Sequence, residues 1–183
     1  TQYEKSGAGA ISILTESNFF QGKIDHISLV ENTINIPILR KDFIIDKYQI
    51  YESKVFKADA ILLIASILND DEIREFIEIA KDIGLDSIIE THTIDELNRA
   101  IKIKHPIIGI NNRNLSTLSV NINNTLNLIK GISNDFIIIG ESGIKNHQDI
   151  KKYNKSGIYN FLIGHSILKS KNIKKKINEL LNK

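Results

Sequence analysis

The segment Ile36-Pro-Ile-Leu-Arg-Lys-Asp-Phe43 contains a short apolar run followed by three consecutive charged residues. An apolar run of strand-forming residues is typical of a buried parallel strand. The charges mark its carboxyl end, and in parallel α/β proteins the loops at that end form the ligand site. Lys41 is therefore the first candidate for chemistry. The alternative is a lysine whose side chain reaches solvent from the strand end.

Length and composition limit the possible functions. The 183 residues suffice for one domain with a large core. A complete eight-unit barrel has about 200 residues or more. Hydrophobic residues make up 42%, charged residues 25%, and the net charge is +2. This balance, with no apolar run long enough to span a membrane, favours a small-molecule function without nucleic acid or membrane partners. Without cysteine there are no disulfides or thiolate sites, which permits a reducing, cytoplasmic compartment.

Seven apolar segments alternate with helical patterns along the chain. Consecutive βα units with apolar strands predict a parallel sheet covered by helices on its outer side. We predict an α/β fold of the (βα)8 TIM-barrel type, in preference to an open doubly wound sheet, as a single domain over residues 1–183. Residues 1–7 have the pattern of a helix end, so we expect the first βα unit to lie upstream and units 2 to 8 to lie here. The other predicted strands are 10–15, 59–65, 86–91, 107–110, 136–140 and 160–164, and the main helices are 24–32, 46–56, 69–84, 93–104, 123–129, 146–155 and 173–181.

Two helix starts carry recognisable capping residues. Asn69 is predicted to cap the helix that Gly84 ends. Thr93 is predicted to cap the next helix, and Glu96, three residues later, predicts a capping box.

Polar side chains follow nearly every predicted strand. In a closed barrel these strand ends converge on one mouth. One carboxylate there could equally be a structural partner for a lysine or a helix N-terminus. A lysine, two glutamates and an asparagine on four strands instead indicate acid–base chemistry on a small molecule. The strand-end residues are Thr15 and Glu16, Lys41 and Asp42, Ser66, Glu90, Asn111 and Arg113, Glu141 and Ser142, and Gly164 and His165.

Glycines beside hydroxyl or amide groups follow the last two strands, in Glu141-Ser142-Gly143 and Gly164-His165-Ser166. Barrels of this type bind phosphate there through backbone N–H groups, and glycine lets an anion approach the backbone. The alternative is that these glycines only form tight βα turns. No Walker motif or dinucleotide fingerprint is present, and the five histidines lack ligand-like spacing, so we expect neither cofactor nor metal.

The chain resembles the indole-3-glycerol phosphate synthase family over essentially all 183 residues. The resemblance implies an enzyme without cofactor that closes the indole ring of 1-(2-carboxyphenylamino)-1-deoxyribulose 5-phosphate, releasing carbon dioxide and water. Ring closure needs an acid for the ketose oxygen and a base for the later dehydration. The matching segments are Leu39-Arg-Lys-Asp-Phe-Ile44 with Tyr48-Gln49-Ile50, Ala60-Ile-Leu-Leu-Ile64, Gly109-Ile-Asn-Asn-Arg-Asn-Leu115, Gly140-Glu-Ser-Gly-Ile144 and Phe161-Leu-Ile-Gly164.

The resemblance implies four catalytic residues. Lys41 corresponds to the lysine that contacts the substrate and acts as general acid in one version of the mechanism. Glu90 corresponds to the general base. Asn111 would steady the reacting hydroxyl, and Glu141 would orient the ribulose chain.

The resemblance also implies substrate-binding residues. Phe20 and Phe43 would form walls for the anthranilate ring, which is planar and apolar. Asp42 and Arg113 would be ion partners near the substrate rather than catalysts. The phosphate would be held by Ser142, Gly143, Gly164 and the amide of His165.

The chain departs from the family pattern in two places. His165 stands where the family usually has glutamate or serine, which is tolerable if only the backbone binds phosphate. Nothing matches the Lys-x-Ser-Pro-Ser block of the first strand or the N-terminal helix that caps the mouth. We therefore expect a longer natural chain, and fusion to, or association with, another tryptophan-pathway domain is left open.

Two other functions are compatible with a phosphate-binding barrel. One is another enzyme of the pathway, such as phosphoribosylanthranilate isomerase or the tryptophan synthase α chain, against which the Lys-Asp-Phe strand argues. The other is an inactive scaffold remnant that lacks its first unit. Retention of Lys41, Glu90, Asn111 and Glu141 argues against that reading.

Overall fold

A computed structural model describes residues 1–114, 117–133 and 135–183. Leu115, the last residue of the motif that begins at Gly109, lies outside the described residues. The chain forms two compact units, Tyr3–Ile89 and Glu90–Lys183. The single domain predicted over residues 1–183 stays a prediction.

The first unit alternates strands and helices, and its strand pairs are parallel. β1 pairs with β2 from Ile11 opposite Ile38 to Leu14 opposite Lys41. β2 in turn pairs with β3 through Leu39 and Ala60. The elements are α1 (Gln2–Lys5), β1 (Ile11–Leu14), α2 (Asp25–Glu31), β2 (Ile38–Lys41), α3 (Lys47–Val55), β3 (Ala60–Ile64) and α4 (Asp70–Asp82), and β4 (Asp86–Thr91) runs across the boundary of the two units.

The second unit continues the alternation. β5 and β6 pair in parallel along their whole length, ending with Asn111 opposite Glu141, and β6 pairs with β7. All seven predicted strands are confirmed. The one-turn helix α8 was not predicted, because four residues are too few to show a helical period. The remaining elements are α5 (Ile94–Ile103), β5 (Ile107–Asn111), α6 (Asn123–Leu128), β6 (Ile137–Glu141), α7 (His147–Asn154), β7 (Asn160–Leu162), α8 (His165–Leu168) and α9 (Ile173–Leu181).

The two predicted helix caps form, and one predicted contact of the second differs. Asn69 and Glu72 form a capping box at α4, and Gly84, with a φ of +69°, follows its end. The Thr93 side chain accepts from the Glu96 N–H at the start of α5, as predicted. The capping box predicted there is wrong in its second bond. The Glu96 carboxylate accepts the N–H of His92 rather than that of Thr93.

The helices are short, and the longest described one, α4, has 13 residues. No helix in the described part of the chain combines the length and apolar character needed to cross a membrane.

Arg40 of β2 is a buried charge that holds its strand to α3. Its side chain is 4% exposed, and its Nη1 donates to the Gln49 carbonyl at 2.9 Å. The guanidinium also forms ion pairs with Asp42 at 3.0 Å and Glu52 at 2.8 Å. The Asp42 carboxylate is thus an ion partner, as predicted. Because successive side chains of a strand point to opposite faces, Lys41 lies on the face of β2 away from α3.

Replacing Arg40 by methionine should destabilise the protein by about 3–5 kcal/mol, because two carboxylates then lose their buried partner. The matched control is Lys47→Met, whose ion pair with Glu75 is more than half exposed at both ends. That change should cost less than about 1 kcal/mol. Urea unfolding of both variants checks this, and equal losses would contradict the structural role of Arg40. Adding Asp42→Asn and Glu52→Gln to the Arg40 variant should recover part of the loss.

Candidate active site

Lys41 ends β2, where the sequence predicted the carboxyl end of a strand. Its carbonyl accepts the N–H of Thr15 at 3.2 Å, directly after β1. The side chain is half-buried. The position of Lys41 in the strand is confirmed, and its chemical role stays a prediction.

Three phenylalanines cluster beyond the ends of β1 and β2. The rings of Phe19 and Phe43 meet edge to face with centroids 6.3 Å apart, and Phe20 lies 6.4 Å from Phe43. Phe20 remains 52% exposed. Phe20 and Phe43, the predicted walls for an aromatic ring, therefore lie together on an open apolar surface. Such a surface suits a planar apolar group.

Glu16 organises the loop that carries two of these rings. Its carboxylate accepts the backbone N–H groups of Asn18 at 2.8 Å, Phe19 at 2.6 Å and Phe20 at 3.2 Å. The loop closes where the N–H of Gly22 donates to the Glu16 carbonyl. A Cβ on Gly22 would come within 2.4 Å of a carbonyl oxygen of β1, so only glycine fits.

Three predicted catalytic residues end neighbouring strands of the second unit. Asn111 and Glu141 are register partners at the ends of β5 and β6. Glu90 lies near the end of β4, where the Thr91 hydroxyl donates to the Gly109 carbonyl of β5 at 3.0 Å. Glu90, Asn111 and Glu141 are 3%, 8% and 2% exposed. Two carboxyl groups and an amide are thus buried at adjacent strand ends, where polar groups need compensating partners.

Asn112 joins the ends of β5 and β6 to two helices. Its amide nitrogen lies within hydrogen-bond distance of the carbonyls of Glu141 (2.8 Å) and Ser142 (2.9 Å) and of the Tyr153 hydroxyl (2.6 Å). Its oxygen accepts from the backbone and hydroxyl of Thr125. Asn112, Thr125 and Tyr153 are all buried. The network therefore sets where the loop after Glu141 leaves the sheet.

The loop after β6 turns through two left-handed residues. Ser142 has a φ of +61° and Gly143 a φ of +85°. A Cβ on Gly143 would come within 2.7 Å of Val120 and 2.8 Å of Ile122. Packing and the positive φ therefore both require glycine at 143, the approach of an anion stays a prediction, and Asn112 holds the Ser142 carbonyl of the turn.

The segment after β7 places its backbone at the surface. Gly164 precedes the first residue of α8, His165, and both are exposed. A Cβ on Gly164 would meet no atom within 4 Å, so packing does not require glycine here. The Ser166 hydroxyl is buried and has no hydrogen-bond partner among the described residues. An unpaired polar atom beside exposed backbone is compatible with an anion site.

Arg113 belongs to the loop after β5 rather than to an ion pair with another predicted site residue. Its backbone N–H donates to the Asn111 side-chain oxygen at 3.0 Å. Its guanidinium donates to the Leu118 carbonyl at 3.3 Å. Arg113 thus helps to fix Asn111, and its contact with substrate stays a prediction.

Arg40, Asn112 and Tyr153 contribute to this geometry but were not among the predicted site residues. The available signal was a second asparagine directly after the apolar β5 and an arginine beside Lys41. Neither signal identifies partners that lie far away in sequence. Within residues 1–114, 117–133 and 135–183, no group of three histidine, aspartate or glutamate side chains could hold a metal ion.

Sequence comparison supplies the family. A family model for indole-3-glycerol phosphate synthase matches residues 1–180. The chain belongs to this family. It is 45% identical over 179 residues to indole-3-glycerol phosphate synthase of Endomicrobium trichonymphae, covering 98% of this chain and 69% of that protein. It is 44% identical over 179 residues to the synthase of Lachnoclostridium phytofermentans, covering 98% of this chain and 66% of that protein. The chain thus spans about two thirds of the length of these synthases.

Solved structures with low sequence identity share the fold. 3-Hexulose-6-phosphate synthase from Salmonella typhimurium superposes with a TM-score of 0.82 at 13% identity, covering 99% of this chain and 88% of that one. Thiamine phosphate pyrophosphorylase from Pyrococcus furiosus gives 0.74 at 14% identity, with 99% and 85% coverage. Together with the alternating parallel strands, these similarities show an α/β fold of the TIM-barrel type.

The Glu16 loop should respond to acid. Burial raises the pKa of Glu16, but the N–H groups of Phe19, Asn18 and Phe20 outweigh it and hold the pKa below its ordinary value. The stabilisation of the loop by the ionised carboxylate is therefore complete above the ordinary glutamate pKa. It is lost as the pH falls through the lowered pKa of Glu16. We expect the amide NMR signals of Phe19 and Phe20 to shift with a midpoint below about 4.3, the ordinary glutamate pKa. A midpoint above that value, or the same titration in Glu16→Gln, would contradict this.

Tyr153 should make stability depend on alkaline pH. Burial raises the pKa of its phenol, and the Asp149 charge adds to this, whereas hydrogen bonds with Asn112 and Thr125 oppose it. A tyrosine in the unfolded chain ionises near pH 10. The contribution of the neutral Tyr153 phenol to the free energy of unfolding is therefore complete below about pH 10 and falls as the pH rises toward the pKa of the folded state. Tyr153→Phe should cost about 0.5–1.5 kcal/mol at neutral pH. Urea unfolding from pH 7 to 11 should show this cost shrinking above pH 10, and parallel curves would contradict it.

Proposed function

We propose that Lys41, Glu90, Asn111 and Glu141 carry the chemistry of an indole-3-glycerol phosphate synthase. Members of this family are decarboxylating lyases of tryptophan biosynthesis. The supporting observation is the burial of Glu90, Asn111 and Glu141 at three neighbouring strand ends of one unit. Buried ionisable groups at the carboxyl ends of parallel strands are typical of catalytic rather than structural residues.

Each of the four residues has a separate task. Lys41 supplies the proton that activates the ketose oxygen during ring closure, because an ammonium is a donor on a long, mobile side chain. Glu90 accepts a proton in the dehydration. Asn111 steadies the reacting hydroxyl, and the Arg113 N–H holds its amide oxygen in place. Glu141 orients the ribulose chain from the neighbouring strand.

The phosphate of the substrate is assigned to the loops after β6 and β7. The left-handed turn of Ser142 and Gly143 turns the backbone as anion-binding loops do, and this supports the assignment. Gly164 and His165 expose the backbone at the start of α8, which supports binding through main-chain N–H groups rather than the imidazole. A side chain other than glutamate or serine at 165 is then acceptable.

The anthranilate ring is assigned to the cluster of Phe20 and Phe43. Both rings are exposed, which for large apolar side chains in close contact marks a binding surface. The Glu16 carboxylate holds the Phe20 backbone, so the ring sits on an ordered loop. An ordered loop loses less conformational entropy when the substrate binds.

The finer predictions about the whole protein belong to the same proposal. They are a closed (βα)8 barrel whose first unit this chain lacks, a cytoplasmic location, and fusion to, or association with, another tryptophan-pathway domain. Family membership supports a phosphorylated small-molecule substrate. We propose no cofactor.

Replacing the proposed acid or base tests the proposal directly. In the complete gene product, Lys41→Met and Glu90→Gln should each lower kcat by about 10²–10⁴-fold, because each removes one proton-transfer group. The appearance of indole fluorescence measures the rate. Lys47→Met is the matched control, since this exposed lysine pairs only with Glu75 among the contacts described, and it should keep the wild-type rate. A rate within threefold of wild type in either variant would overturn the assignment of that residue.

A further inference from the structure

His92 stands between two carboxylates at the end of β4. Its Nε2 lies 3.3 Å from Oε1 of Glu90, and its Nδ1 lies 3.4 Å from Oε2 of Glu96. The histidine side chain is 8% exposed. Among the described residues, neither ring nitrogen meets a partner with full hydrogen-bond geometry. The ring therefore lies within ion-pair range of both acids but is not yet aligned with either.

The backbone of His92 is held from two sides. Its N–H donates to Oε2 of Glu96 at 2.7 Å, and its carbonyl accepts from the amide of Asn124 at 3.2 Å. Glu96 belongs to α5 and Asn124 to α6, so two helices set the position of the histidine.

The chemistry of imidazole suits this position. A neutral ring has one N–H donor, and an imidazolium has two, so only the charged ring can donate toward both carboxylates. A donor on Nε2 stabilises the ionised form of the Glu90 carboxyl group. The charged groups that face the ring are Glu90 from β4 and Glu96 from α5.

We propose that His92 is a positioning residue for Glu90. Its Nε2 lies against Oε1 of Glu90 and so fixes the direction in which that carboxylate points, while Glu96 flanks the ring at Nδ1. This inference rests on the proposed role of Glu90 as the general base. His92 itself exchanges no proton with the substrate.

Two amide substitutions separate this role from a merely structural one. Glutamine places its amide nitrogen near the position of Nε2, which faces Glu90, whereas asparagine places it near Nδ1, which faces Glu96. In the complete gene product, His92→Gln should keep kcat within about fivefold of wild type, whereas His92→Asn should lose about 10–100-fold, since misplacing a reacting group has an effect of that size. KM should change little in both variants. Equal kcat values for the two variants would overturn the proposal.

The pH profile adds a readout that a structural role would not move. Without the Nε2–H donor, the pKa of the Glu90 carboxyl group should rise, so the acidic limb of kcat should move to higher pH in His92→Asn. The limb should stay near its wild-type position in His92→Gln. An acidic limb that is the same in wild type and His92→Asn would overturn the proposal.

A measurement that needs no activity separates this inference from the proposed function. We expect the imidazole ¹⁵N signal of His92 Nε2 to shift between wild type and Glu90→Gln, while the ring signals of His147, which bonds the Leu180 carbonyl, stay unchanged. An unchanged Nε2 signal would overturn the His92–Glu90 contact whatever the activity. Wild-type activity in Glu90→Gln together with a shifted signal would instead refute the base role of Glu90, and with it the catalytic meaning of the contact.

Discussion

Where a parallel strand ends, its last backbone groups and the following loop lose their ladder partners, and buried groups must find others. Asn112 meets this requirement in the second unit, where its side chain bonds to the carbonyls of Glu141 and Ser142. In the first unit, the buried side chain of Arg40 ties β2 to α3 through the Gln49 carbonyl. Such bonds fix the backbone near the strand ends, and a fixed backbone gives the neighbouring side chains defined directions.

At the same strand ends, neighbouring residues have different tasks: one side chain fixes the backbone, and the next belongs to the proposed site. Arg40 packs against α3 while Lys41 takes the other face of β2. Thr91 bonds the backbone of β5 while its neighbour Glu90 belongs to the proposed site. Asn112 ties the strands together while its neighbour Asn111 belongs to the proposed site. Three of the four candidates for catalysis, Lys41, Glu90 and Asn111, thus have a neighbour whose contacts fix the backbone that both share.

Much of the secondary structure could be predicted from local patterns. The seven strands followed from apolar runs, and the start of α4 followed from Asn69, because these signals depend on residues close in sequence. The short helix α8 and the partner of Glu96 were missed. Four residues show no period, and the Glu96 carboxylate could reach either the Thr93 backbone or the His92 N–H. Only the local chain path decides which N–H it accepts.

The sequence by itself determined the family, the order of strands and helices, and the residues Lys41, Glu90, Asn111 and Glu141 as candidates, since motif identity and apolar periodicity are local properties of the chain. Only the tertiary structure decided which polar residues are buried and what they touch. The network of Asn112, Thr125 and Tyr153 and the position of His92 beside Glu90 join groups from different elements. The physical reason is that burial and hydrogen bonding depend on three-dimensional distance, which the spacing of residues along the chain does not specify.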